Sequence, residues 1–193
     1  MGRMLGELNG TTMSGRTGSH KRPKIVIGKT NPGFHHPVGQ REIMRFVHLT
    51  GPIALYGLRT VELARTPSVN ARGSLVFGRY EAPGRILLFE QQNPPWRLPG
   101  ILNQADTNRF KRFGATVAIP PGSQVTIVEW PKESLKRFML EGVLVHELGH
   151  HVLQQYKGKR LARVARTRDH ESVAELFASR QRLLVTAVGK LAK

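Results

Sequence analysis

The chain has 193 residues, 39% of them hydrophobic, enough for one domain with a substantial core and too few for two comfortable ones. It contains no cysteine, which excludes disulfides and thiolate metal sites, so any metal must be held by nitrogen and oxygen donors. A net charge of +17, from 30 basic and 13 acidic residues, implies attraction to polyanions such as nucleic acid, acidic protein or an anionic surface.

No apolar run reaches the ~18 residues of a membrane span, and the N-terminus lacks the apolar core of a secretory signal. A cytoplasmic protein is therefore expected. Residues 1–37 are rich in Gly, Ser, Thr and basic side chains around one apolar island, Ile25-Val26-Ile27. They are expected to be a flexible basic segment ahead of a single domain over residues 38–193.

Ile43, Met44, Phe46 and Val47 predict an amphipathic helix over residues 39–49, stopped by Gly51-Pro52, with a short buried turn at 53–56. Strand patterns follow at 58–64, 74–80 and 85–90. The last two flank Glu81-Ala82-Pro83-Gly84 as a β-hairpin. Residues 91–100 read as a proline-rich loop holding Trp96. Residues 103–112, with Asn103, Asp106 and Arg109, fit a short polar helix or a loop. Two more strands are expected at 116–120 and 124–130.

Pro131 suits the start of a helix running to Gly158. Its apolar residues, among them Leu135, Phe138, Met139, Val143, Leu144, Leu148 and Val152, wrap more than one face, as in a central, covered element. A last helix is expected over residues 169–188. Helix, strands, long helix and final helix together predict an α+β domain with a small, mostly antiparallel sheet.

Within the long helix stands His146-Glu147-Leu148-Gly149-His150. Helical residues four apart differ by about 40° in direction and roughly 6 Å in height, so both imidazoles can reach one metal ion. Glu147 points beside that pair, where a general base would act on metal-bound water. A catalytic zinc needs a third protein ligand and an open position. Glu171, 21 residues after His150, can face the metal if the last helix packs beside the first. Glu175, one turn on, can then accept from the second ring N–H of a ligand histidine. Ala174 and Ala178 would permit close packing, as would Gly149 from the other helix. His170 remains an alternative third ligand. His151 points away from the pair, Tyr156 fits packing better than an oxyanion contact, and His35, His36 and His48 read as ordinary polar residues.

His146-Glu147-Leu148-Gly149-His150, about twenty residues, then Glu171-Ser-Val-Ala-Glu175-Leu-Phe-Ala resembles the gluzincin zinc metallopeptidases, nearest in size to the ImmA/IrrE-like regulatory proteases. The resemblance covers residues 131 to about 180. It implies a zincin-like fold with an active-site helix, a C-terminal ligand helix and a sheet whose edge strand aligns substrate. It also implies Zn2+ held by His146, His150 and Glu171, an acidic residue at Glu175 supporting a ligand histidine, and peptide-bond hydrolysis of a protein substrate with Glu147 as base. No counterpart of the transition-state-stabilising His or Tyr of larger members stands out. Between the second histidine and Glu171 lie Lys157, Lys159, Arg160, Arg163, Arg166 and Arg168. That run is a solvated connection or a patch for polyanions or nucleic acid. The competing expectation is a non-catalytic, basic nucleic-acid-binding or structural protein on the same scaffold.

Overall fold

The computed structural model describes residues 22–67, 75–156 and 168–191. Its largest sheet contains β1 (Lys24–Ile27), β3 (Thr60–Ala64), β4 (Gly78–Glu81) and β5 (Arg85–Phe89) in the order β1-β3-β5-β4. β2 (Phe34–His35) pairs separately with β6 (Gln91–Gln92). The apolar island expected to lie in a flexible segment is thus a strand of the sheet, with Lys24 opposite Thr60 and Ile27 opposite Leu63.

The sheet is mixed rather than mostly antiparallel. β1, β3 and β5 run parallel, and β4 alone is antiparallel, turning back from β5. The helix α1 (Gln40–Leu49), followed by the short α2 (Pro52–Leu55), lies in the connection from β1 to β3 and makes it a parallel crossover. In β3 the alternation is as expected, with Val61 and Leu63 buried. In β5 the four residues Ile86–Phe89 are all buried, the continuous apolar pattern of a strand covered on both faces.

The hairpin forms at the expected turn, with Glu81 opposite Arg85. Gly84 there has φ +78°, and a Cβ on it would overlap the Gly57 carbonyl. Residues 91–100, expected as a loop, contribute β6 and β7 (Trp96–Pro99). β7 joins β8 (Thr116–Ala118) and β9 (Val125–Glu129) in an antiparallel sheet of order β7-β9-β8. Trp96 anchors it in an aromatic cluster: its ring centroid lies 5.2 Å from that of Trp130, which lies 5.1 Å from that of Phe138. Residues 104–112 are a helix, α3 (Gln104–Arg112), capped by the Asn103 side chain accepting from the Asp106 N–H.

The central helical run is interrupted. α4 (Lys132–Arg137) passes into a π-helical turn, Phe138–Leu144, and then into α5 (Val145–Tyr156). Leu135, Phe138, Met139, Val143, Leu144 and Leu148 are each at most 2% exposed, as a centrally covered helix requires. The glycine of the π turn is needed for space, since a Cβ at Gly142 would meet Phe113 Cζ at 3.0 Å. The final helix α6 (Arg168–Leu191) packs on α5. A Cβ on Gly149 would lie 2.8 Å from both Cα and O of Ala174, and Ala174 and Ala178 are fully buried. The two backbones are therefore in contact, as the small residues led one to expect. No helix among the described residues is long and apolar enough to cross a membrane.

Gly149→Ala gains about 1 kcal/mol of helix propensity yet collides with main-chain atoms that cannot rotate away. A net loss of about 1–3 kcal/mol is expected in urea unfolding, and a more stable variant would contradict the packing. A second expectation concerns Glu42, whose carboxylate accepts from the Gly39 N–H at 2.6 Å and meets Lys136 Nζ at 2.9 Å, joining α1 to α4. The backbone donor and then Lys136 hold its carboxyl below the ordinary range. Because it titrates lower when folded than unfolded, its contribution is complete above the unfolded value. That contribution disappears as pH falls through the folded one. Glu42→Gln should lower the melting temperature at pH 7, with the difference from the parent closing below about pH 4.

Candidate metal centre

His146 and His150 occupy one side of α5, and their Nε2 atoms lie 3.2 Å apart. Backbone contact at Gly149 and Ala174 brings α6 close enough for Glu171 to join them. Glu171 Oε2 is 3.2 Å from His146 Nε2, and its Oε1 is 3.4 Å from His150 Nε2. A tetrahedral zinc with bonds of about 2.0–2.1 Å separates its donor atoms by roughly 3.3 Å. The two nitrogens have that spacing, and each meets a different oxygen of the Glu171 carboxylate, with one donor atom from each residue lying within 4.8 Å of the others. Two facing Nε2 atoms can share at most one proton, whereas a cation between them satisfies both. Burial is one-sided: the His150 side chain is 5% exposed and that of Glu171 48%. A further coordination position could therefore face solvent.

Glu147 is buried, and its Oε2 accepts the Tyr80 N–H at 2.7 Å. That amide belongs to β4, the edge of the main sheet. Gly78 lets β4 lie against the helix, because a Cβ there would sit 2.7 Å from Val143 Cγ1 and 3.3 Å from Glu147 Cγ. Sequence reasoning passed over Gly78; a glycine in a strand often marks such a close approach.

The carboxylates define the charge of the site. Glu175 Oε2 lies 3.6 Å from His146 Nδ1, an ion-pair contact beyond hydrogen-bond length, while its Oε1 accepts from Arg182 Nη2 at 2.7 Å. The His146 imidazole, with Arg182 assisting, holds the Glu175 carboxyl down to about 2. Burial opposes a charged His146, but Glu175, Glu147 and Glu171 outweigh it and raise the imidazole above its ordinary value. The His146–His150–Glu171 group could hold a metal ion.

Two arginines near the site carry no sequence motif. Arg109, on α3, places its guanidinium 5.2 Å from the Phe138 ring centroid and 5.6 Å from that of Phe77, and it donates to the Gly142 carbonyl. Burial lowers its pKa, and Glu175 opposes that shift. Arg182 donates to the Glu141 carbonyl at 3.3 Å. Sequence offered no signal for either, since basic residues are abundant throughout this chain.

The remaining candidates lie elsewhere. His170 is buried but is not part of the His146–His150–Glu171 group, the cluster of possible ligand atoms found among the described residues. His151 is fully buried, with Nε2 3.0 Å from the Tyr56 carbonyl, and burial lowers its pKa. His36 Nε2 meets the Gly28 carbonyl at 3.1 Å, and His48 is exposed. Lys157, Lys159, Arg160, Arg163 and Arg166 lie outside the described residues; Arg168 opens α6, but its side chain and that of Tyr156 lie outside them too.

No protein-family model, curated protein or solved structure matches this chain.

Proposed function

We propose that the chain is a zinc-dependent metallopeptidase of the gluzincin kind, hydrolysing peptide bonds of a protein substrate. The observation that carries this reading is the convergence of His146, His150 and Glu171, with donor atoms within 4.8 Å of one another, beside the buried carboxylate of Glu147. The donor set, two imidazole nitrogens and a carboxylate oxygen, is one that zinc accepts. Zinc bound there would polarise a carbonyl and acidify its water.

The protein's own groups do the rest. Glu147, oriented by the Tyr80 N–H at Oε2, takes the proton of the attacking water and passes it to the leaving amine. Glu175, kept ionised, faces His146 Nδ1 and favours the tautomer protonated there, which leaves the Nε2 lone pair free for a metal. An extended peptide running along β4 would pass beside Glu147, because that edge strand already meets the base through Tyr80.

Replacing Glu147 by Gln should lower hydrolysis of a peptide library by at least about 100-fold while zinc stays equimolar with protein. Turnover at the parent rate would exclude Glu147 as base. Should the parent bind zinc yet cleave nothing, the alternative of a non-catalytic basic scaffold, with polyanion contacts in the run from Lys157 to Arg168, takes precedence. Glu171→Ala should reduce zinc content at limiting metal. An undiminished stoichiometry would move the third-ligand role to His170.

A further inference from the structure

Arg182 lies seven residues after Glu175 on α6, and so on the same face of that helix. Its side chain is 17% exposed, whereas that of Glu175 is 51% exposed. Left alone, a half-exposed glutamate would distribute itself over several rotamers, and only some would direct an oxygen at His146. Arg182 Nη2 removes that freedom by donating to Glu175 Oε1 at 2.7 Å and to Ser179 Oγ at 2.8 Å, so that Oε2 is the oxygen facing His146 Nδ1.

The other end of the same guanidinium, Nη1, donates to the Glu141 carbonyl. Glu141 lies in the π-helical turn immediately before α5, where the Val145 N–H bonds to the Leu140 carbonyl, five residues back. Where such a pattern returns to four-residue spacing, one carbonyl is passed over and needs another donor. Arg182 and Arg109 supply donors to the Glu141 and Gly142 carbonyls at that handover. Relaxing the turn to regular α-helix would rotate α5 against α4 by roughly 100° and carry His146 with it.

We propose that Arg182 is a positioning residue of the metal centre, holding Glu175 against His146 and fastening α6 to the π-helical turn that sets the direction of the two histidines. It deepens, and rests on, the reading of His146, His150 and Glu171 as a metal site. A lysine cannot replace it, since one ammonium on a flexible stem does not present the fork that reaches Glu175, Ser179 and the Glu141 carbonyl together.

The test is zinc affinity of the full chain, measured by competition with a chromophoric chelator, for the parent, R182A, R182K, E175A and R182A/E175A. Circular dichroism identifies which variants are folded. R182A is expected to weaken zinc binding by about 10- to 100-fold, E175A by a similar factor, and the double variant no further than the weaker single one. R182K, which keeps the charge and the stem, should also fall. Should R182A fail to fold, R182K decides the matter. Parent affinity in a folded R182A or R182K, or losses that multiply in the double variant, would overturn the proposal. H146A separates the two readings: parent-like zinc affinity in that variant would dismiss the metal site itself.

Discussion

Backbone contact between α5 and α6 is the constraint on which the site depends. A carboxylate side chain is short, and the two imidazoles it meets stand on a different helix. Only when the helix axes approach to the limit allowed by Gly149 and Ala174 can Glu171 come within 3.2–3.4 Å of both rings. Any side chain larger than hydrogen at position 149 must separate the helices or deform one of them. The glycine therefore costs helix stability and brings Glu171 to the histidine pair.

The same closeness organises charge. The chain as a whole carries +17, yet three of its 13 acidic residues, Glu147, Glu171 and Glu175, surround one histidine pair. Locally the field is opposite in sign to that of the molecule, and the raised basicity of His146 is its consequence. Arginine is used here for its fork as much as for its charge. Arg109 and Arg182 reach the Gly142 and Glu141 main-chain carbonyls of the π turn.

Much of this arrangement is legible in the sequence because it follows from helical periodicity and small-residue packing. The relation of His146 to His150 is fixed by spacing alone. Ala174, Ala178 and Gly149 announce the close helix pair that brings in Glu171. The hairpin around Pro83-Gly84 is equally local, and the burial of Val61 and Leu63 follows from alternation. The misreadings arise where pairing is nonlocal. Ile25-Val26-Ile27 looks like an apolar island in a flexible segment, because nothing nearby shows that β3, more than thirty residues on, will pair with it in parallel. The prolines of residues 91–100 suggest a loop, yet Pro99 tolerates its place because β7 lies at the edge of its sheet. The π turn leaves no periodic signature, and the fit of Gly142 against Phe113 and Phe138 within it is visible only in three-dimensional packing.

The aromatic cluster has an optical consequence. The chain's two tryptophans, Trp96 and Trp130, have ring centroids 5.2 Å apart, both are at least 96% buried, and Trp130 lies against Phe138, the first residue of the π turn. Intrinsic tryptophan emission from this protein therefore arises from one place, the seam where the β7-β9-β8 sheet receives the helix that leads to the histidines. Its wavelength acts as a gauge of whether that helix is seated. The α-helical circular dichroism, to which α6 contributes 24 residues beside the other helices, reports helix content as a whole. Emission and circular dichroism in this way separate, without any added label, a loosening of that aromatic seam from a loss of helix.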